Sequence, residues 1–68
     1  MNKLEDFKEG LRVRYVPTHA EGNPSHQDCE NGIVSSTNSK YVFVKYIKNN
    51  VLQETSAATL PEDLILWK

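Results

Sequence analysis

"YVFVKYI", residues 41–47, is the stretch whose reading decides the fold. Apart from Lys45 it is built of β-branched and aromatic residues, which suit a pleated, half-buried surface. Strict alternation sets Val42, Val44 and Tyr46 on one face and Tyr41, Phe43, Lys45 and Ile47 on the other. Apolar groups stand on both faces, so the segment reads as a central or curved strand.

Working outward, "NSK" (38–40) is turn-like and joins this strand to "GIVSST" (32–37), a short β-branched strand, as a hairpin. On the other side, "KNN" (48–50) supplies a turn through asparagines, which tolerate left-handed backbone angles. "VLQETSAAT" (51–59) reads as a weaker fourth strand. "LPEDL" (60–64) is one tight turn started by Pro61, leading into a last strand, "LILWK" (64–68). Upstream, "LRVRYVP" (11–17) alternates Leu11, Val13 and Tyr15 against Arg12 and Arg14 until Pro17 closes it. "LEDFKEG" (4–10) places Leu4 and Phe7 at helical spacing. It is shorter than the roughly 12–15 residues an isolated helix needs, so one packed turn ending at Gly10 is expected.

The expectation is therefore an all-β fold: a small five-stranded barrel, closed or half-closed, with a long loop after the first strand and a short helical turn before the last. Curling lets few residues enclose a core, whereas a flat five-stranded sheet would leave one apolar face wet. The expected core is Val13, Tyr15, Val34, Val42, Val44, Leu64 and Leu66. No linker, repeat or low-complexity tract interrupts the chain. Residues 1–68 thus read as a single domain, with an N-terminal turn over 1–9 and the barrel over 10–67.

Size and charge limit the functions available. A chain of 68 residues buries only about 60% of its unfolded surface and has room for one economical core. Eight Lys+Arg against nine Asp+Glu give a formal charge of −1, so any attraction to nucleic acid must come from a local patch. The single Cys29 excludes an internal disulfide framework and favours a reduced compartment. "MNKLEDFKEG" lacks the apolar run of an export signal, and no stretch is long enough to cross a membrane as a helix. A cytoplasmic location is expected.

"EGLRVRYVP" as opening strand, "NGIVSS" then "YVFVKY" as middle hairpin, and "LPEDLIL" as the turn into the final strand resemble the SH3-like barrels of the Tudor and KOW type, from about Gly10 to Trp67. A second likeness lies in "VRYVPTHAEGNPSHQDCENGIVSS" followed by "YVFVKY", which resembles a group of small proteins encoded in bacteriophages and prophages. That resemblance implies a phage or mobile-element origin and a bacterial cytoplasm as working compartment. It carries over no catalytic residue.

The chemistry is concentrated in "THAEGNPSHQDCENG" (18–32), between the first two strands. His19, His26 and Cys29 are zinc-ligand types, and Asp28 or Glu30 would complete a tetrahedron. The spacing His-x6-His-x2-Cys, with no second Cys-x2-Cys knuckle, does not specify a metal. The same side chains serve equally to tie an irregular loop together by hydrogen bonds, with Cys29 as a small buried hydrophobe. The latter reading is preferred, and no cofactor is expected. A Cys29–His thiolate pair is the remaining catalytic option, but so small a barrel has little interior for a substrate pocket, and the chain is not read as an enzyme.

Two binding surfaces follow. His19, Glu21, His26, Asp28, Cys29 and Glu30 make an acidic, histidine-containing loop. Arg12, Arg14, Tyr41, Phe43 and Lys45 make a basic and aromatic face of the kind that stacks single-stranded nucleic acid. Tyr15, Tyr41, Phe43 and Tyr46 also supply rings for a cation cage, but alternation along one strand would set Tyr46 opposite Tyr41 and Phe43, and no cage is expected. The split of charge suits complementary protein interfaces better than a phosphate backbone. The chain therefore reads as a non-catalytic module for binding a protein, whether host, phage or a second copy of itself. Nucleic-acid binding is the alternative.

Overall fold

The computed structural model describes residues 4–66 and carries six strands, all paired antiparallel. They are β1 (Arg12–Tyr15), β2 (Glu30–Thr37), β3 (Val42–Lys48), β4 (Val51–Leu52), β5 (Ala57–Thr59) and β6 (Leu64–Leu66). The order across the sheet is β4-β3-β2-β1-β6, with β5 also paired to β3. The only helical pieces among the described residues are 3-10 turns at Leu4–Asp6, Thr18–Ala20 and Pro61–Asp63. The fold is all-β, and no described helix is long and apolar enough to cross a membrane.

β3 organises the sheet as its alternation requires. Val42 and Val44 are fully buried and Tyr46 nearly so, while Phe43 and Lys45 are half-buried and Ile47 is exposed. β3 and β2 are joined by a turn in which the Asn38 side-chain oxygen accepts the amides of Lys40 (2.8 Å) and Tyr41 (2.7 Å). At the other end, Asn49 and Asn50 have φ of 52° and 65°, and Lys48 pairs with Val51 across them. Two successive left-handed residues give the twist that a two-residue hairpin turn requires.

The fourth strand expected over residues 51–59 is in fact two. β4 pairs with the C-terminal end of β3 (Ile47 with Leu52), and β5 pairs with its N-terminal end (Val44 with Ala57). The Gln53 amide still reaches the Tyr46 carbonyl at 2.9 Å. Residues 54–56 then stand against Lys45 alone. Glu54, Thr55 and Ser56 have no apolar face to bury, so they bend out of the ladder. β2 is also longer than "GIVSST" suggests: it begins at Glu30 and absorbs an extra residue as a bulge between Val34 and Ser36.

Phe7, Val13, Val34, Val42, Val44, Tyr46 and Leu64 form the core, with Leu4 and Tyr15 packed against it. The N-terminal turn is packed as expected, and Phe7 is 3% exposed. Leu66 departs from the expected core: it is 39% exposed. Among the described residues β6 is the last strand on its side of the sheet, and Leu66 sits at its end opposite Val13. Trp67 and Lys68, part of the expected last strand, lie outside the described residues, as do residues 1–3 of the N-terminal turn. No pairing between β5 and β6 closes the sheet among the described residues; the Pro61–Asp63 turn connects them.

Candidate functional site

Gly32 is the residue around which the inner face of the sheet is arranged. It pairs with Val13 on β1 and with Tyr46 on β3. A Cβ placed there would run into the Val44 side chain, 3.0 Å from the Lys45 carbonyl oxygen and 3.1 Å from the Tyr46 ring. The missing side chain is what lets the Tyr46 ring lie across β2 toward Tyr15, which it meets edge to face with centroids 6.1 Å apart.

Beside these rings the structure opens into a cleft of about 360 Å³. Tyr15, Tyr41 and Tyr46 contribute rings to its lining, Glu30 and Asp63 contribute carboxylates, and Ala57 to Leu60 form the remaining wall. The expectation that strand alternation keeps Tyr41 and Tyr46 apart is overturned. Tyr41 precedes β3 and belongs to the turn, so the parity of the strand does not govern it. Phe43, which is in the strand, does obey parity and takes no part in the cleft. Glu30 was expected in the loop; it is the first residue of β2, opposite Tyr15.

Glu30 and Asp63 are the charged groups of the lining, and Lys40 stands outside it. The Lys40 ammonium lies over the Tyr41 ring, 5.2 Å from its centroid. Burial holds the Tyr46 phenol above its ordinary value of 10.0, with the charges of Glu30, Tyr15 and Asp63 adding to that and the Thr59 hydroxyl opposing it. Glu30 also faces Lys48, at 4.0 Å.

The loop forms a second cluster on successive tight turns. The amides of Ala20, Glu21, Asn23, His26 and Cys29 each bond a carbonyl three residues earlier. Arg14 reaches in from β1, with Nε on the Pro24 carbonyl and Nη1 on the Asn31 side-chain oxygen, both at 2.6 Å. His19 Nε2 lies 2.7 Å from Asp28 Oδ2, and the Asp28 amide donates to His26 Nδ1 at 3.0 Å. The two imidazoles meet edge to face with centroids 5.3 Å apart. Cys29 stands apart: it is buried, and its thiol donates to the Asn23 carbonyl at 3.4 Å. Glu21 is exposed in a left-handed turn and lies outside the cluster.

The expected basic and aromatic face is only partly assembled. Arg12, Ile33 and Lys45 stand in one cross-strand row, and Phe43 shares the outer side of β3. Arg14 is committed to the loop, and Tyr41 lines the cleft. The cleft's combination of Tyr15, Tyr41, Tyr46, Glu30 and Asp63 was not read from sequence; the one available signal was that Tyr41 follows a turn motif closely enough to lie outside the strand. No protein-family model, no curated protein and no solved structure matches the chain.

Proposed function

We propose that the protein is a non-catalytic binding module for another protein, and that its receptor site is the tyrosine cleft, which takes a lysine, arginine or methylated cationic side chain of the partner. One observation carries this reading: three tyrosines and two carboxylates line a single open cleft. Rings present negative faces to a cation, and the carboxylates lower the cost of bringing it out of bulk water. The phage-like wording of the loop and strands points to a host or phage protein as partner.

The test is an amide NMR titration with short peptides carrying lysine, trimethyllysine, arginine or, as control, norleucine at one position. Cation-dependent shifts centred on Tyr15, Tyr41 and Tyr46, reduced by Tyr41→Ala and by Glu30→Gln, are expected. Shifts that ignore the cation overturn the cleft reading. Salt-sensitive binding of single-stranded oligonucleotides, lost on Arg12→Ala/Lys45→Ala, transfers the function to the outer face and to nucleic acid.

A further inference from the structure

We propose that His19, His26 and Asp28 form a binding site for a divalent transition-metal ion of the zinc class. The proposal is independent of the tyrosine cleft. It differs from the set suggested by spacing along the chain, in which Cys29 was the third ligand.

Geometry carries the proposal. One ligand atom from each of the three residues lies within 4.8 Å of the other two. On a tetrahedral ion with donors about 2.0–2.1 Å away, those donors stand about 3.4 Å from one another, so closure takes side-chain adjustments of about 1 Å. Two imidazoles on one such ion have ring centroids about 5 Å apart; the His19 and His26 rings are at 5.3 Å. Cys29 cannot serve without leaving its buried position and its bond to the Asn23 carbonyl.

The three groups are held near one another by the turns of the loop. His19 sits on the Thr18–Ala20 turn, His26 and Asp28 on the turns that follow, and Arg14 fixes the intervening segment at Pro24. Without an ion, the His19–Asp28 contact and the Asp28 amide–His26 bond hold the same three residues together. An ion takes the place of the hydrogen between His19 Nε2 and Asp28 Oδ2; that hydrogen moves to Nδ1 of a neutral ring, or leaves to solvent from a protonated one.

Chemistry and charge select the class of ion. Two imidazoles with one carboxylate suit zinc and its first-row neighbours, whereas magnesium and calcium take all-oxygen sets. Asp28 supplies the negative charge of the cluster, and the nearest cation named in the loop, the Arg14 guanidinium, is turned to the Pro24 carbonyl and the Asn31 side chain. His19 and Asp28 are exposed, with side chains 62% and 52% accessible, so an ion has an open path. Three protein ligands leave a fourth position for water or for a side chain of a partner.

The experiment uses untagged protein, freed of metal and titrated with zinc and with cobalt, followed by calorimetry and visible absorption. One ion per chain is expected, with a dissociation constant of about 10 µM or tighter, and cobalt bands of a four-coordinate site without a thiolate charge-transfer band. His19→Ala, His26→Ala and Asp28→Asn should each weaken binding by at least about tenfold, with circular dichroism showing that each variant still folds. Saturating zinc should raise Tm by about 5 °C or more in the parent and not in these variants. No saturable uptake, an equal affinity for magnesium, or a thiolate band from Cys29 in the unmutated protein would each overturn the proposal.

Discussion

The Tyr46 hydroxyl lies 2.7 Å from that of Thr59, and both residues are buried. Thr59 in turn reaches the Ala57 carbonyl at 3.4 Å, so the Tyr46 proton has a defined acceptor between β3 and β5. This contact fastens the short β5 to the core by a side chain as well as by its ladder. Thr59→Val keeps the shape and removes the partner, leaving a buried phenol unsatisfied, and should cost about 1–3 kcal/mol in a denaturant titration. Adding Tyr46→Phe should restore most of that loss, because no orphaned group then remains. A neutral Thr59→Val would mean that the contact contributes nothing.

The same burial sets a response to alkali. The folded protein holds the Tyr46 phenol above 10.0. Below the ordinary phenol value both folded and unfolded chains keep the proton, and the contribution to stability is complete. As pH rises past about 10, the unfolded chain ionises first and binds fewer protons than the folded one, so stability falls with increasing pH. Melting temperature measured from pH 8 to pH 11 should drop less steeply in Tyr46→Phe than in the parent. Parallel curves would assign the alkaline loss to other groups.

Gly32→Ala should destabilise the fold by about 1–3 kcal/mol through overpacking. The added methyl meets Val44, the Lys45 carbonyl and the Tyr46 ring from a position in the middle of three paired strands, so backbone cannot move aside easily. Val44→Ala in the same chain opens room beside it. The double variant should therefore lose less than the sum of the single losses, which equilibrium unfolding can measure.

Legibility in the sequence followed the range of the interaction. The alternation of β3 and the Asn49–Asn50 turn depend on neighbours along the chain, and both were readable from it. The division between β4 and β5 shows locally only as the polar run "ETS", which marks a weak strand; that two separate pieces still pair with β3 on either side of it is a matter of register. Leu64 and Leu66 share one strand, one face and the same chemistry, yet only Leu64 is buried, a difference that the alternation of the chain does not carry. The candidate sites divide in the same way. The two histidines lie close in the chain and were read together with Cys29, Asp28 or Glu30 being offered as a fourth ligand; that Asp28 and not Cys29 stands beside them is decided by the fold of the loop. Tyr15, Glu30, Tyr41, Tyr46 and Asp63 come from five separate places and meet only through the register of the sheet.

Arg14 is the tether between the sheet and the loop. Its guanidinium bonds the Pro24 carbonyl through Nε and Asn31 through Nη1, both at 2.6 Å, an arrangement that needs two donors in a fixed plane. A lysine at this position offers one compact ammonium and cannot reproduce both contacts in the same geometry. Arg14→Lys should therefore leave the core intact and loosen the loop. Amide hydrogen exchange at Asn23, His26 and Cys29, whose N–H groups bond carbonyls within the loop, should accelerate roughly tenfold, while Val34 and Val44 keep their protection. Unchanged exchange in the loop would show that its own turns suffice to hold it, and acceleration throughout the sheet would place Arg14 among the groups that stabilise the whole fold.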